Sequence, residues 1–286
     1  MFYHPSIHPS SLLAKSILGR FEKMLGRLQY DKEELLVLNY HSTPAKFINN
    51  FKKQVDIIRD HFDVIDPSDL KDYYEGKPAN GKCRLLFTFD DGLKNNLHAA
   101  RILSAAGIKA LFFIVPAFID TPPGEQEKFY LRNIRPRVND RIDGKEEDLR
   151  AMSWEELKEL ARQGHGLGAH TLTHSLVAQS SSPENSRKEI LECQKVIQER
   201  TGILADAYCS INNTLESTGK KEKEMIASAY QYHFTTLPGY NTVNKNKLFI
   251  KRRNVECYWP DGAFFYALGQ SDLRRWASKI RVYDNL

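Results

Sequence analysis

Short apolar runs alternate along the chain with segments whose apolar residues recur at helical spacing. The runs at residues 34–41 and 85–89 predict buried strands, because a short apolar run bounded by turn residues is typical of a strand covered on both faces. Residues 47–62 and 95–107, which follow them, have the spacing of amphipathic helices. Repeated β-then-α units predict a parallel sheet, and we expect a single-domain α/β barrel.

Several helix ends carry local signals in the sequence. Ser153 and Glu156 are spaced as a capping box, and Ser68 is a candidate N-cap for the helix after the short strand near residue 64. Gly107 and Gly164 stand where helices should end, since glycine adopts the left-handed conformation of a C-terminal cap without strain. These signals agree with the predicted β–α order.

Composition narrows the range of functions. A length of 286 residues is ordinary for one α/β barrel, and 41 Lys and Arg against 36 Asp and Glu leave a net charge of only +5. No dense basic tract is interleaved with aromatic residues, so nucleic-acid binding is not expected. The scattered spacing of the cysteines favours reduced thiols over a disulfide framework or a structural zinc site. These cysteines are Cys83, Cys193, Cys209 and Cys257.

The N-terminal segment, residues 1–32, has an amphipathic pattern. Its apolar residues fall on one helical face, and most of its basic residues fall elsewhere. The apolar face comprises Leu13, Ile17, Phe21, Leu25 and Leu28. Two interpretations stay open: peripheral contact with an anionic membrane surface, or packing on the chain's own domain. No apolar stretch is long enough for an export signal or a membrane span, so we expect a cytoplasmic protein, with the inner membrane surface as one location.

Titratable side chains gather at the ends of predicted strands. Asp90 and Asp91 end an apolar run just before Gly92, and His41 and His170 end two other runs. Active sites of parallel barrels form at the C-terminal ends of the strands. Two adjacent carboxylates repel each other, and a cation or a division of roles would relieve that repulsion. The alternative is a simple Asp-Gly turn.

His170 and His174 have the spacing H-x-x-x-H. This spacing can aim two imidazoles at one point if the segment makes a helical turn. With one aspartate they would form a two-histidine, one-carboxylate set that leaves coordination positions open for water and substrate. Zn²⁺ accepts such ligands, and so do Fe²⁺, Co²⁺ and Ni²⁺.

These motifs resemble those of a known family. The stretch TFDDG and the later stretch SWEELKELARQGHGLGAHTLTH are similar to the NodB-homology polysaccharide deacetylases, carbohydrate esterase family four, and residues 37–70 are similar to the N-terminal part of its bacterial members. The resemblance implies a distorted (β/α) barrel of about seven parallel strands. It also implies a hydrolase that removes acetyl groups from sugars with a divalent metal. The barrel would occupy residues 33–286, with an inserted loop at 120–150.

The resemblance also assigns roles. Asp91, His170 and His174 would bind the metal, with Zn²⁺ foremost and Co²⁺, Ni²⁺, Fe²⁺ or Mn²⁺ as alternatives, and Asp90 would be the general base. The pair Tyr-His that ends at His41 is similar to one in bacterial exopolysaccharide deacetylases, where the histidine approaches the metal site. His41 is therefore the candidate general acid, and a structural histidine beneath the barrel rim is the alternative.

Two motifs depart from the family pattern. In the third motif Tyr208 is retained, but Cys209 replaces the usual proline and Asn212 stands near the usual glycine, which puts in doubt the backbone N–H expected to hold the oxyanion. The family's late Leu-x-His motif and its upstream arginine are absent. Arg252 or Arg253 could replace that arginine and orient the base or contact substrate, with surface charge as the alternative.

The inserted loop at 120–150 is long for a barrel connection and should overhang the metal site. Tyr130 and Arg132 could contact a sugar, and Arg135 and Arg137 could meet a phosphate or carboxylate. Solvated charges are the alternative. If the loop is a lid, an anionic or lipid-pyrophosphate-linked saccharide becomes a candidate substrate.

The sequence as a whole predicts a metal-dependent hydrolase that removes N-acetyl groups from a polysaccharide, an oligosaccharide or a lipid-linked amino sugar. Two alternatives stay open: a catalytically impaired family member that binds saccharide, and an amino-sugar deformylase. Among the other histidines, His233 should be a core residue, and His98 and His165 should be structural. Nothing in the sequence predicts the oligomeric state.

Overall fold

The computed structural model describes most of the chain. The described residues are 13, 15–17, 32–135, 149–177, 182–211, 218–243 and 246–269. Most of the predicted amphipathic segment at 1–32 lies outside them, as do Arg137 and Asn212, so the expectations for these positions stay predictions. Among the described residues, no helix combines the length and apolar character that crossing a bilayer requires.

Nine strands form one sheet in the described part of the chain. They are β1 (Glu34–Tyr40), β2 (Asp63–Val64), β3 (Arg84–Phe89), β4 (Leu111–Ile114), β5 (Gly166–Ala169), β6 (Ala207–Cys209), β7 (Tyr232–Phe234), β8 (Asn241–Thr242) and β9 (Arg253–Asn254). The main order is β7-β6-β5-β4-β3-β1-β8; β2 pairs with β3, and β9 pairs with β1. All pairings are parallel except that of β1 with β8.

Ten α-helices connect and cover the strands in the described residues. They are α1 (Ile48–His61), α2 (Leu70–Tyr74), α3 (Asn96–Ala105), α4 (Pro116–Asp120), α5 (Gln126–Phe129), α6 (Trp154–Arg162), α7 (Pro183–Arg187), α8 (Cys193–Thr201), α9 (Lys220–Ala229) and α10 (Asp261–Gly269). Short π-helical stretches, Tyr130–Ile134 and Lys188–Glu192, extend α5 and join α7 to α8.

The segment 250–254 joins the two ends of the parallel sheet. Ile250 forms a parallel bridge with Phe234 of β7, and β9 pairs in parallel with Leu38 and Asn39 of β1. This segment therefore contains one bridge and a two-residue strand. Even so, the curled sheet confirms the predicted distorted (β/α) barrel with about seven parallel strands.

Side chains of the strands alternate between an inner and an outer core. Leu35 and Val37 of β1 face the barrel interior together with Phe113 and Cys209, whereas Leu36 faces the surrounding helices. This alternation decides which residues beyond each strand end reach the barrel mouth, because successive side chains point to opposite faces.

The local signals in the sequence are mostly confirmed. Ser153 Oγ accepts a hydrogen bond from Glu156 N at 3.2 Å, and Ser153 N donates to the Glu156 carboxylate at 2.8 Å. Ser68 is not the cap: it lies within the 3-10 turn Pro67–Asp69 that leads into α2, and Asp66 caps this turn in a capping box with Asp69. His165 and His233 are both buried, as expected for core residues.

Candidate active site

The ends of β1, β3 and β5 bring four predicted residues to one place. Asp90 continues the parallel pairing of β3 with β1, since its N–H donates to Tyr40 O at 2.9 Å, and His41 follows Tyr40 directly. His170 extends β5 in the same way, with its N–H donating to Ile114 O at 3.0 Å. Asp91 then adopts a left-handed φ of 73°, so the chain turns sharply and both carboxylates stay at the barrel mouth.

A loop, not a helix, carries the two motif histidines. Residues 170–177, all within the described chain, lack helical structure, and Thr171 and His174 have φ angles of 62° and 60°. The helical turn considered for the H-x-x-x-H spacing is therefore wrong. The loop is held instead by the buried carboxylate of Glu189, which accepts hydrogen bonds from Thr173 N at 2.9 Å and from Thr173 Oγ1 at 2.7 Å.

Both imidazoles present the same nitrogen to Asp91. His170 Nδ1 lies 2.9 Å from Cys209 O, and His174 Nδ1 lies 3.0 Å from Asn133 O. A carbonyl only accepts, so each Nδ1 carries a hydrogen in these bonds and each neutral ring keeps its lone pair on Nε2. The two Nε2 atoms lie 3.6 and 3.3 Å from Asp91 Oδ1.

The donor set fits a divalent cation. Ligand atoms of Asp91, His170 and His174 all lie within 4.8 Å of one another, and Asp91 Oδ2 is buried without a hydrogen-bond partner among the described residues. A buried carboxylate oxygen without a partner is costly unless something pairs with it. Burial lowers the pKa of His170 to about 4, so its ring is neutral near pH 7, as ligation requires.

Asp90 is held differently from its neighbour. Arg252 donates from one nitrogen to Asp90 Oδ1 at 2.7 Å and from the other to Oδ2 at 2.9 Å, and both side chains are almost fully buried. Burial raises the pKa of the Asp90 carboxyl, but Arg252 and the neighbouring histidines lower it, and the net shift is downward. Asp90 is therefore an ionised carboxylate: its Oδ2 lies 3.8 Å from His170 Nε2, but both of its oxygens accept from Arg252.

Arg252 is itself fixed from several sides. Its Nε donates to Thr235 O at 3.0 Å, one terminal nitrogen lies 2.8 Å from Cys209 Sγ, and the guanidinium lies 5.3 Å from the ring centre of Phe113. Ligand atoms of Asp90, His170 and Cys209 also lie within 4.8 Å of one another. Arg252 contacts both Asp90 and Cys209, however, and its positive charge opposes a cation there.

A model of the polysaccharide deacetylase family matches residues 77–230, which is more than half of the chain. The matched part contains the four motif residues Asp90, Asp91, His170 and His174. The chain belongs to the polysaccharide deacetylase family. No curated protein sequence is similar enough to count as a match.

Solved structures agree on the fold of this deacetylase family member. The deacetylase PplD of Streptococcus pyogenes has 16% identity and a TM-score of 0.59, over 79% of this chain and 93% of that one. The deacetylase domain of BpsB from Bordetella bronchiseptica has 18% identity and a TM-score of 0.61, over 80% and 98%. IcaB from Ammonifex degensii has 22% identity and a TM-score of 0.58, over 83% and 97%.

Two of the predicted substrate residues lie away from the site. Tyr208 is on the outer face of β6, buried against Tyr230 and His233. Arg253 is buried and donates to the carbonyls of Ala267 and Leu268 at the end of α10. Neither side chain reaches the barrel mouth, and Arg252, the third candidate, is committed to Asp90.

The third motif adopts strand structure up to Cys209. The N–H of Ser210 donates to Phe234 O at 3.0 Å, so this group is not available as an oxyanion donor. Burial raises the pKa of the Cys209 thiol well above its usual value, which fits an inert side chain better than a reactive one. The residues after Ile211 in this motif lie outside the described part of the chain.

The inserted segment reaches the metal ligands. The carbonyl of Asn133 accepts from His174, as described above, and Tyr130 is buried with its ring 6.1 Å from that of Phe118. Arg135 turns inward and hydrogen-bonds with the Tyr130 hydroxyl. Burial lowers the pKa of Arg135, but the neighbouring Tyr130, Asp91 and Glu256 raise it by more. Its charge is therefore offset within the protein, in contrast to the expectation that it meets a substrate anion. Arg132 is solvent-exposed.

Glu189 and Glu256 are the two acidic residues that the sequence did not point to. Glu256 Oε1 lies 3.5 Å from His41 Nδ1, and its carboxylate is buried. Neither glutamate belongs to a recognisable motif. Glu189 follows other charged residues of its segment, such as Arg187 and Lys188, so nothing in the sequence distinguished it.

Proposed function

We propose that the chain is a metal-dependent hydrolase that removes N-acetyl groups from the amino sugars of a polysaccharide, an oligosaccharide or a lipid-linked saccharide. One observation carries this proposal: both imidazoles turn their Nε2 atoms toward Asp91, while both oxygens of Asp90, the next residue, accept from Arg252. Hydrolysis at a metal centre requires a metal ligand and a separate base, and the two adjacent carboxylates would supply one each.

Asp91, His170 and His174 would hold the cation. The mixed nitrogen and oxygen donors favour Zn²⁺, and Co²⁺, Ni²⁺, Fe²⁺ and Mn²⁺ are alternatives. When bound, a divalent metal lowers the pKa of water and polarises an amide carbonyl. The hydrogen bonds to Cys209 O and Asn133 O support this assignment, because they fix both rings in the ligating tautomer before the cation arrives.

Asp90 would act as the general base. It removes a proton from the water that attacks the acetyl carbon, and its bidentate pair with Arg252 keeps it ionised and correctly oriented. His41 would act as the general acid. It donates a proton to the amide nitrogen as the carbon–nitrogen bond breaks, which releases acetate and the free amine of the sugar.

Arg132 is the remaining candidate for direct contact with the saccharide. It is exposed on the inserted segment, next to Asn133, whose carbonyl contacts the ligand His174. Tyr130 supports that segment from beneath, since it is buried against Phe118 and bonded to Arg135. We therefore assign substrate contact to Arg132 and a supporting role to Tyr130.

The test compares the wild type with Asp90→Asn. Metal content and acetate release are measured on acetylated chito-oligosaccharides. We expect metal in both proteins and acetate from the wild type only, because the asparagine keeps the shape of the side chain but cannot accept the proton. Absence of metal from the wild type would contradict the ligand assignment. Bound metal with no product from any acetylated sugar would favour a binding role, and formate release from a formylated amino-sugar lipid would favour deformylation.

A further inference from the structure

Glu256 is a buried carboxylate beside the proposed general acid, His41. We propose that Glu256 is a positioning residue: it orients the His41 ring, so that the proton is delivered to the departing amine. This inference rests on the proposed function, in which His41 is the acid. It assigns a role to the chain beyond residue 230, where the match to the family model ends.

The backbone around Glu256 is fixed to the barrel. The N–H of Val255 donates to Asn39 O at 2.9 Å, which continues the pairing of β9 with β1. The carbonyl of Glu256 accepts from Gln54 Nε2 at 3.1 Å and from the N–H of Trp259 at 3.0 Å. A side chain on a backbone that is fixed in this way can hold a partner in place with little loss of backbone conformational entropy.

Alternation along β9 explains why Glu256 reaches the barrel mouth. Arg252 points inward to Asp90, Arg253 points outward to α10, and Val255 belongs to the outer core. Glu256 stands four residues after Arg252, an even spacing that returns its side chain to the inner face. The same short segment therefore supplies Arg252 as a cation beside the proposed base and Glu256 as an anion beside the proposed acid.

The contacts of Glu256 define what it can do. Its Oε1 lies 3.5 Å from His41 Nδ1, and the Asn254 amide donates to the same oxygen at 3.4 Å. A carboxylate at Nδ1 favours the ring form that carries a hydrogen there, and the other ring nitrogen is then turned away from Glu256. Tyr40 pairs with Phe89 in the register of β1 with β3, so His41 and Asp90, the next residue on each strand, stand side by side at the barrel mouth.

Arg135 gives Glu256 a second, permanent cation. The guanidinium is close enough for Glu256 to raise its pKa. The charges of Arg135 and Glu256 therefore attract each other. In the proposed step the imidazolium of His41 gives its proton to the amide nitrogen, the carbon–nitrogen bond breaks, and the ring becomes neutral. No other co-reactant is needed.

The experiment compares a leaving group that must be protonated with one that departs without a proton. Glu256→Gln, His41→Asn and the double variant are assayed on acetylated chito-oligosaccharide, whose amine must be protonated, and on para-nitrophenyl acetate, whose phenolate leaves without an acid. We expect Glu256→Gln to lower kcat on the amide at least about tenfold, with KM unchanged and ester hydrolysis retained. The double variant should be no slower than His41→Asn, because both substitutions remove one function.

Controls separate positioning from folding. Glu222→Gln alters another buried carboxylate, which accepts from Ser186 in the helical layer and touches none of the site residues. It should leave both reactions unchanged. Metal content and the thermal unfolding midpoint are measured for every variant. If Glu256→Gln does not fold, Glu256→Asp replaces it; the shortened carboxylate should then lower amide turnover and spare the ester.

Three outcomes would overturn the role of Glu256: unchanged kcat on the amide, an equal loss on amide and ester, or losses that multiply in the double variant. If the wild type hydrolyses the amide and Glu256→Gln does so equally well, this inference alone fails. If the wild type loads metal but does not hydrolyse the amide, the proposed function fails, and the role of Glu256 fails with it.

Discussion

Arg252 and Asp90 form a buried bidentate ion pair, with nitrogen–oxygen distances of 2.7 and 2.9 Å. Both oxygens of Asp90 are thereby engaged, whereas Asp91 keeps one buried oxygen without a hydrogen-bond partner among the described residues. The repulsion between adjacent carboxylates is relieved separately for each: a guanidinium pairs with Asp90, and the proposed cation would pair with Asp91. The two roles follow from this asymmetry and not from any difference in residue type.

Arg252→Lys should slow the reaction without removing the metal. Lysine keeps the charge but offers a single donor point, so it cannot hold both oxygens of Asp90. We expect kcat to fall by about 10- to 100-fold at unchanged metal content, measured by acetate release and elemental analysis. Arg253→Lys is the matched control, because Arg253 packs on the ring of Tyr240 and donates to the end of α10. Metal loss in Arg252→Lys would show that the arginine supports the ligands and not the base.

Asp91→Asn and Asp90→Asn are a matched pair for metal binding. The substitutions are identical and the positions adjacent, but only Asp91 faces both histidine Nε2 atoms. Asp91→Asn should lose bound metal at concentrations where Asp90→Asn stays loaded. A chelator should abolish acetate release by the wild type, and added Zn²⁺ should restore it. Equal metal content in the two variants would contradict the proposed ligand set.

Glu189→Gln should weaken metal binding from outside the ligand set. The carboxylate of Glu189 accepts two hydrogen bonds from Thr173, which lies directly before the ligand His174. A glutamine can accept through only one of its two terminal atoms, so the loop loses one contact. Loss of such support typically costs about 10- to 100-fold in metal affinity. Competition with a chromophoric chelator measures the metal affinity, and Glu222→Gln is the control. An unchanged affinity in Glu189→Gln would show that the loop is held by other contacts.

His165 should make the fold sensitive to mild acid. Burial, and then the charge of Lys109, lower the pKa of His165 from 6.5 to about 4. The unfolded chain therefore binds a proton that the folded chain does not, between these two pH values. The stability contributed by neutral His165 is complete above about pH 6.5 and is lost as the pH falls toward about 4. At about pH 5 the loss is on the order of 1–2 kcal/mol.

His165→Asn tests this pH dependence. The asparagine Oδ1 can still accept from the Ala110 N–H, which His165 Nδ1 now accepts at 3.1 Å, but it does not titrate. Urea unfolding of wild type and variant at about pH 8 and about pH 5 gives the free energy of unfolding that each protein loses on acidification. We expect the variant to be less stable at the higher pH and to lose less stability than the wild type on acidification. Equal losses would assign the acid sensitivity to other groups.

The sequence predicted the part of the site that lies in compact motifs. Asp90, Asp91, His170 and His174 follow apolar runs, and the parallel order of those runs is enough to bring their ends together. The backbone conformation that orients these four side chains was not predictable from the sequence. The spacing of the histidines suggested a helical turn, whereas left-handed residues in a loop achieve the same convergence. Sequence periodicity does not indicate isolated left-handed φ angles in residues other than glycine.

Residues near the shortest strands were the hardest to place. Choosing between Arg252 and Arg253, or between Tyr208 and Cys209, requires knowing which residue faces inward. Strands of two or three residues are too short for their alternation to be read. A one-residue change of register exchanges the two faces. Glu256 depends on the same register, and its partner His41 is far from it in sequence, so only the folded chain brings them together.

The segment 250–254, which joins the two ends of the sheet, also sets when the protein can become active. The four motif residues are synthesised early, and the barrel can begin to form around them as the chain emerges N-terminus first. Such an unfinished chain would carry the proposed metal ligands, but Asp90 would lack its arginine and His41 its glutamate. Catalysis would thus begin only when the last strand joins the sheet. A chain truncated after β7 would bind metal but have no activity.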